Sequence, residues 1–179
     1  KSLSKRMRRK VKNEKFAFES NIISIYSPIK GTGSSTYAIN LALSLKKETR
    51  KRVLLINIRR REGGPEENQN EEYEGSELET KADPVTIRNL YNNLERANES
   101  IVKDDLACDV INIAFSPTNE EVKDSISPVV SSLVGDYHFA IVDLPNEIND
   151  VVLETLTQSD QIHLVSFDRN ADLRSIKSI

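Results

Sequence analysis

The amino-acid sequence predicts an α/β domain with an open, doubly wound, mostly parallel sheet and helices on both faces. Three observations support this fold class. Short apolar runs alternate along the 179-residue chain with longer segments of helical periodicity. Residues 52–58 are rich in leucine and β-branched residues, as in strands that are buried on both faces of a parallel sheet. Residues 21–45 have the order strand, glycine-containing turn, helix, which is the layout of a phosphate-binding loop.

The first half of the chain contains one βαβ unit and one long loop. An apolar run at residues 22–26 predicts the first strand, and the helix after it has four apolar residues on one face: Ala38, Leu41, Ala42 and Leu45. With a second strand at residues 52–58, these elements form a right-handed crossover. Residues 59–82 lose all periodicity, and residues 62–80 contain eight Glu but no Lys or Arg. We therefore expect an acidic flexible loop at 59–82.

The second half continues the alternation of strands and helices. Asp83 and Pro84 predict a helix start, with Asp83 as the N-cap. Three further strands are predicted at residues 108–114, 139–144 and 161–167. The remaining helices are expected to begin near Thr118, Ser127, Asn149 and Ala171.

Charge is concentrated at the start of the chain and in the acidic loop. Residues 1–15 hold eight Lys or Arg and one Glu. We expect residues 1–19 to be a solvated basic linker or tail ahead of a domain at 20–179, and attraction to an anionic membrane surface or to nucleic acid is the alternative. Because the chain begins with Lys1, we expect it to be part of a longer protein.

The single cysteine and the hydropathy pattern favour a cytoplasmic protein. One cysteine, Cys108, excludes an intrachain disulfide, and it is predicted to be a small core side chain. No stretch approaches the ~18 to 20 apolar residues of a membrane span.

Polar residues at two predicted strand ends mark the candidate site. Ligands bind outside the carboxyl ends of the strands in open parallel sheets. Asn57 and Asp143 end the second and fourth predicted strands, and we expect the first βα loop to lie between them. A phosphate loop follows G-x-x-x-x-G-K-[ST], in which the lysine contacts phosphates and the hydroxyl binds magnesium. Aligning Gly33 with the second glycine places Ser34 at the lysine and Ser35 at the hydroxyl.

The pattern predicts a phosphate loop with one hydroxyl for magnesium. The phosphate-binding residues would be Gly31, Gly33, Ser34, Ser35 and Thr36, and the hydroxyl of Ser35 would bind magnesium. The alternatives are structural: a tight turn that binds nothing, a helix N-cap at Ser34 or Ser35, and an aspartate that caps a neighbouring loop. His138 and His163 lack partners at ligand spacing, so we predict no metal site there.

Three segments carry a resemblance to a known family. They read SPIKGTGSSTYAINLALSL, KRVLLINIRRREGG and FAIVDLPNEINDVVLETLTQSDQIHLVS. Together they resemble the ParA/MinD superfamily of P-loop ATPases, with a deviant phosphate loop. The serine-containing loop and the DLP-x-x-x-N-D-x-x-L-x-x-L segment are most similar to the CpaE/TadZ branch, which is linked to tight-adherence and type IV-like pilus assembly and to polar positioning. The resemblance covers about residues 21–179 and implies a P-loop NTPase-like fold truncated at the C-terminus, because members usually run further.

The family pattern K-G-G-x-G-K-T-T loses its charged side chains here. Its first lysine, which reaches the partner's nucleotide across a dimer, corresponds to Ile29, and its phosphate-bridging lysine corresponds to Ser34. The second-strand aspartate associated with the attacking water corresponds to Asn57, and a nearby acidic position is Arg59. Lys30 is shifted by one residue. The positions that keep the pattern are Gly31, Gly33, Ser35, Thr36 and Asp143. The resemblance implies that Asp143 is the metal-associated aspartate, so Ser35 and Asp143 are the predicted magnesium pair.

These replacements imply a pseudo-ATPase that serves as an interaction or localisation module, with no catalytic residue and no required cofactor. A lost charge-assisted hydrogen bond costs ~1.5 to 3 kcal/mol, so ATP with magnesium is expected to bind weakly if it binds. The resemblance implies protein partners in a pilus or secretion-type assembly and a homodimer. It also implies a cytoplasmic protein that is recruited to the inner face of the membrane or to a cell pole.

Two other functions stay open from the sequence. The first is a slow ATPase or ATP-binding switch of the CpaE/TadZ type, in which Lys30 or a partner's cation replaces the missing lysine. The second is a relative of the bacterial tyrosine autokinases, whose domain has a similar layout. The lack of a terminal tyrosine cluster argues against the second.

Overall fold

The computed structural model describes residues 20–61, 83–104, 107–116 and 125–166. Several sequence-based predictions lie outside the described residues: the basic tail, the acidic part of the long loop, and the helices expected near Thr118 and Ala171.

Six parallel strands form one sheet in the described part of the chain. They are β1 (Asn21–Tyr26), β2 (Val53–Arg60), β3 (Val85–Thr86), β4 (Asp109–Phe115), β5 (Phe139–Asp143) and β6 (Gln161–Leu164). Their order across the sheet is β3-β4-β2-β5-β1-β6, and each neighbouring pair is parallel. The predicted fold class is therefore confirmed.

Helices cover both faces of this sheet. They are α1 (Ser34–Thr49), α2 (Ile87–Asn92), a 3-10 helix (Leu94–Ser100), α3 (Ile126–Val134) and α4 (Asp150–Thr157). On one face α1 packs through Ala38 and Ala42, both fully buried. These two residues lie one turn apart, and their small side chains let the helix approach the sheet closely. On the other face the 3-10 helix and the remaining α-helices pack against the sheet.

Strand side chains alternate between two apolar cores. Leu55 and Ile141 lie in the core beneath α1, whereas Ile56 and Ile111 lie in the core shared with α3 and α4. All four side chains are fully buried, and burying one such side chain contributes about 1.5 to 3 kcal/mol. Cys108 lies in the α1 core as predicted, and burial raises the pKa of its thiol to about 11.

The second strand is longer than the sequence indicates. The prediction ends it at Ile58 and assigns residue 59 onward to a loop, but β2 continues to Arg60. Arg59 and Arg60 pair with Ala114 and Phe115 of β4, and β4 therefore supplies ladder partners that hydropathy alone does not reveal. Arg59 and Arg60 thus lie in a strand, and the predicted loop boundary at residue 59 is corrected.

The predicted helix start at Asp83 is wrong. Residues Val85–Thr86 form β3, which pairs with β4, and helix α2 begins only at Ile87. Thr86 is the N-cap, because its side-chain oxygen accepts a hydrogen bond of 3.2 Å from the backbone N–H of Asn89. Pairing with the sheet overrides the local helix-start signal. The helix expected to begin near Asn149 is confirmed as α4, and Asn149 is its N-cap: its Oδ1 accepts a hydrogen bond of 3.0 Å from the N–H of Val152.

No helix within the described residues is long and apolar enough to cross a membrane.

Candidate functional site

The loop between β1 and α1 has the backbone geometry of a tight strand-to-helix turn. Gly31 and Gly33 have φ angles of 82° and 81°, in the left-handed region that side chains with a Cβ rarely adopt. No atom of the described chain lies within 4 Å of the position that a Cβ would take at either glycine. The glycines are therefore required by backbone conformation, and the space beside them is open.

No side chain in the described part of the protein caps the N-terminus of α1. Gly33 occupies the N-cap position without a side-chain hydrogen bond, and its carbonyl accepts the first helical bond from the N–H of Tyr37 at 2.8 Å. The alternative that Ser34 or Ser35 serves as the N-cap is therefore wrong. Among the described residues, the first turn of α1 keeps its backbone donors without side-chain acceptors, which is the arrangement that favours an anion.

One buried hydroxyl in the loop has no hydrogen-bond partner among the residues that the structure describes. Thr32 is 8% exposed, and its Oγ1 makes no hydrogen bond within the described chain. The start of the loop is ordered locally, because Ser27 Oγ donates to the carbonyl of Ile29 at 3.0 Å. Lys30, the shifted lysine, is exposed.

A row of buried polar side chains crosses the sheet beside the N-terminus of α1. Asn57 of β2 is paired in register with Asn112 of β4 on one side and with Asp143 of β5 on the other. The residue two positions before each of these three side chains lies in the α1 core. Side chains two residues apart in a strand point to the same face, so all three polar side chains lie on the face of the sheet that α1 covers. Asn57 Nδ2 donates to Asn112 Oδ1 at 2.8 Å, while Asn57 Oδ1 has no partner among the described residues.

The expected position of the loop between Asn57 and Asp143 is wrong. In the sheet, β5 lies between β2 and β1, so Asp143 is the central residue and the loop after β1 lies on its far side from Asn57. Strand order cannot be obtained from the order of elements along the chain. The consequence is that Asp143 lies next to both the loop and the second strand.

Arg59 connects the loop helix to the strand end. Its Nη2 donates to Ser35 Oγ at 3.1 Å and makes a short hydrogen bond and ion pair with Asp143 Oδ2. Its Nη1 donates to the carbonyl of Ile58 at 3.1 Å and to that of Asp143 at 3.4 Å. The Asp143 side chain is 1% exposed and the Arg59 side chain is 26% exposed. A partly buried guanidinium therefore neutralises a fully buried carboxylate.

Ser35 and Asp143, the predicted magnesium pair, thus share one guanidinium. Magnesium prefers a near-ideal octahedron of oxygen ligands, and here Ser35 Oγ and Asp143 Oδ2 both already accept from Arg59. Asp143 Oδ1 is buried without a hydrogen-bond partner among the described residues. With Arg59 in this position, the two side chains do not fit a divalent cation. Magnesium binding by Ser35 and Asp143 stays a prediction that requires Arg59 to move.

The residues after β5 form the rim of the site. Glu147 accepts a hydrogen bond from Arg60 Nη1 at 2.6 Å, and both side chains are substantially exposed. Tyr26 Oη donates to the carbonyl of Asn146 at 3.3 Å. Burial raises the pKa of Tyr26 above its ordinary value. These contacts hold the segment after Asp143 against β1 and β2.

The edge of the sheet next to the loop carries a second polar contact. Tyr37 of α1 hydrogen-bonds His163 of β6, with 2.9 Å between Oη and Nδ1. The described residues contain no group of three or more His, Cys, Asp or Glu side chains that could hold a metal ion.

The contact of Arg59 with Ser35 and Asp143 was not predicted from the sequence. From the sequence, residue 59 is only a position where the family pattern has an acidic residue nearby and this chain has arginine. The signal that could have found it is strand alternation, because a residue two positions after Asn57 lies on the same face when the strand continues.

Comparison with known proteins gives one family and a set of similar folds. Residues 20–173 match a family model described as "AAA domain". No curated protein sequence matches the chain.

Three similar structures come from different organisms. A ParA family ATPase from Chlorobium tepidum TLS has a TM-score of 0.61 at 19% identity, over 87% of this chain and 64% of its own. A putative plasmid partition protein from Borrelia burgdorferi B31, bound to AMPPNP, has a TM-score of 0.59 at 19% identity, over 89% of this chain and 68% of its own. The MinC:MinD cell division protein complex from Aquifex aeolicus has a TM-score of 0.57 at 18% identity, over 87% of this chain and 59% of the matched chain. At these identities the similarity shows the fold.

Proposed function

Because the chain belongs to the AAA-domain family matched over residues 20–173 and has the fold of ParA/MinD ATPases, we propose that it is a non-catalytic member of this class. In this proposal it serves as an interaction or localisation module. The chain spans 64% of the length of the Chlorobium ATPase, so the proposal concerns the domain described here.

The observation that carries the proposal is the contact of Arg59 with both Ser35 and Asp143. In phosphoryl transfer, metal ions bridge the phosphate oxygens and neutralise the developing charge. Here the two side chains assigned to the metal are engaged by a protein cation. A cation that is already neutralised by a buried carboxylate contributes little net charge to an incoming triphosphate.

The missing lysines remove further transition-state stabilisation. Ile29 and Ser34 occupy the two lysine positions of the family pattern, and Asn57 occupies the position of the aspartate linked to the attacking water. Each lost charge-assisted hydrogen bond costs ~1.5 to 3 kcal/mol, and 1.4 kcal/mol is about tenfold in an equilibrium constant. All three missing side chains lower the rate of hydrolysis. Nucleotide affinity is lowered only by the missing side chains that would contact the bound nucleotide before it reacts. We infer that turnover is lost before binding is.

The proposed module binds its partner through the loops at the carboxyl ends of the strands and through the outer helices, independently of nucleotide. One structural neighbour is a complex of MinD with MinC, which is an example of partner binding on this fold. The resemblance to the CpaE/TadZ branch supports a role in a pilus or secretion-type assembly. A homodimer, and a cytoplasmic location with recruitment to the inner face of the membrane or a cell pole, belong to the same proposal.

Calorimetry and turnover measurements with one matched set of variants test the proposal. We expect no heat of binding, or weak binding, on titration with ATP or ADP plus magnesium, and no phosphate release above that of Asp143→Ala. Arg60→Ala is the control, because the ion pair that Arg60 forms with Glu147 at the rim is exposed. Turnover by the unmodified chain that disappears in both Ser35→Ala and Asp143→Ala would overturn the proposal.

A slow ATP-dependent switch is the second candidate, and specific observations favour it. The turn keeps two left-handed glycines, α1 has an uncapped N-terminus, and Thr32 keeps a buried hydroxyl without a described partner. The plasmid partition protein with a similar fold binds AMPPNP. In this case Lys30, which is exposed, supplies the charge. Nucleotide binding that is lost in Lys30→Ala but kept in the matched surface variant Lys51→Ala would favour this candidate.

A further inference from the structure

The guanidinium of Arg59 contacts both side chains of the predicted magnesium pair. Its Nη2 donates to Ser35 Oγ at 3.1 Å and also to Asp143 Oδ2. One positively charged group therefore binds both oxygens of the predicted magnesium pair. The two formal charges of the Arg59–Asp143 pair cancel.

Arg59 is presented by a rigid element. Its backbone lies in the ladder between β2 and β4, opposite Ala114, and the ladder is extended by a hydrogen bond of 2.8 Å from the N–H of Arg61 to the carbonyl of Phe115. The guanidinium also donates to the carbonyls of Ile58 and Asp143. Its position is thus fixed from both β2 and β5, as a pre-organised ligand requires.

A divalent cation and this guanidinium exclude each other. The cation would need Ser35 Oγ, which accepts from Arg59, and an oxygen of the Asp143 carboxylate, whose Oδ2 is bound by Arg59. Two cations on the same carboxylate repel each other. Displacing Arg59 would also break its contact with a carboxylate that is 1% exposed. The metal would have to compensate for that loss before it contributed any net stability.

We propose that Arg59 takes the place of the divalent cation, so that the ends of β2, β5 and α1 are joined by a cation that belongs to the chain. The inference deepens the proposed function and rests on it for its biological meaning: the loop surface is assembled without metal or nucleotide. Removal of Arg59 should then expose a pair of oxygens that magnesium can use.

Thermal unfolding with and without millimolar MgCl2 tests this inference. We expect the melting temperature of the unmodified chain to be the same in MgCl2 and in EDTA. Arg59→Gln should melt about 10 °C lower in EDTA, because a buried carboxylate loses its partner. It should recover about 4 °C in MgCl2, as binding linkage predicts for a weak site. Arg60→Gln is the matched control and should show neither change, because its partner Glu147 is exposed.

The double variant Arg59→Gln/Asp143→Asn completes the set. It should melt higher than Arg59→Gln in EDTA and should not respond to MgCl2, because both charges are gone. An equal magnesium response in the unmodified chain and in Arg59→Gln would overturn the inference, since metal would then bind despite Arg59. A magnesium response of Arg59→Gln no larger than that of Arg60→Gln would also overturn it.

Manganese titration followed by electron paramagnetic resonance keeps the inference testable if Arg59→Gln does not fold. The unmodified chain and Asp143→Asn should then bind the same amount of Mn²⁺, and a difference between them would overturn the inference.

Neither the thermal-unfolding experiment nor the manganese titration requires turnover or a partner. ATP hydrolysis by the unmodified chain would therefore refute the proposed function without deciding these results, and a magnesium-stabilised unmodified chain would refute the role of Arg59 without restoring hydrolysis.

Discussion

Asp109, which is half-buried, and Asp143, which is fully buried, lie at opposite ends of the sheet, and the described residues satisfy their carboxylates to different degrees. Asp109, at the amino end of β4, accepts from the N–H of Asp104 at 3.1 Å through Oδ1 and from Tyr137 Oη at 2.7 Å through Oδ2. Lys103 and Arg52 lie 3.4 Å and 3.9 Å from it. Asp143, at the carboxyl end of β5, has one cation on Oδ2 and no described partner on Oδ1.

The difference separates a carboxylate whose two oxygens both accept hydrogen bonds from one that keeps an oxygen without a described partner. Buried acceptors without partners are rare in folded proteins, and they mark positions where another group can bind. Among the described residues, Asp143 Oδ1 is such an acceptor, and Asn57 Oδ1 on the neighbouring strand is another. Both oxygens of Asp109 already accept hydrogen bonds. Asp143 therefore keeps a capacity to accept a hydrogen bond that Asp109 does not have.

The largest difference in the free energy of unfolding is expected between two variants that each lack one arginine, one at the carboxyl end of the strands and one at the amino end. Arg59→Ala should lower the free energy of unfolding by about 3 to 5 kcal/mol, because a fully buried charge is left unpaired. Arg52→Ala should cost about 1 kcal/mol, because the Arg52 side chain is 47% exposed and mainly loses contact with the ring of Tyr137, whose centroid lies 4.5 Å away. Urea unfolding measures both, and equal costs would contradict the comparison.

Alkaline pH should destabilise the amino end through Cys108. Its pKa is raised from 9.0 to about 11, chiefly by burial, so the folded state favours the neutral thiol. The resulting stability is complete below pH 9 and is lost as the pH rises through 11; it amounts to about 2 to 3 kcal/mol. Urea unfolding between these pH values should show this loss in the unmodified chain and a smaller loss in Cys108→Ala. Identical pH profiles would contradict the assignment to Cys108.

Tyr137→Phe tests whether the other partners of the Asp109 carboxylate compensate when one of its hydrogen bonds is removed. The variant removes the hydrogen bond of 2.7 Å to Asp109 and should cost about 1 to 2 kcal/mol, because Lys103 and Arg52 remain near the same oxygen. Lys103→Met in the same background should raise the cost further if these groups act together. A loss as large as that of Arg59→Ala would show that Asp109 depends on a single partner, as Asp143 does.

Thr32→Val should have the smallest effect, and in the opposite direction. A buried hydroxyl without a partner is unfavourable, so replacing it with a methyl group should leave stability unchanged or increase it by up to about 1 kcal/mol. Thr36→Val, at an exposed position in the same region, is the control. A clear destabilisation by Thr32→Val would mean that the hydroxyl has a partner in solution.

The sequence predicts the fold more fully than it predicts the site. The alternation of apolar runs and helical segments is a local signal, and it identifies the parallel sheet, the glycine turn and the helix that begins near Asn149. Strand order is not local, so the position of β5 between β2 and β1 and the central place of Asp143 do not follow from it. The extension of β2 through Arg59 depends on ladder partners in β4, which are more than fifty residues away. For the same reason, the strand pairing of Thr86 outweighs the helix-start signal of Asp83.

The two adjacent arginines at the end of β2 have the same chemistry and different surroundings. Strand pleating alone assigns one to the buried carboxylate of Asp143 and the other to the exposed carboxylate of Glu147. Deleting one residue between Val53 and Ile58 would exchange their faces and deliver Arg60 to Asp143. A shift in this direction would therefore still place a guanidinium at the site, whereas the opposite shift would place Ile58 there.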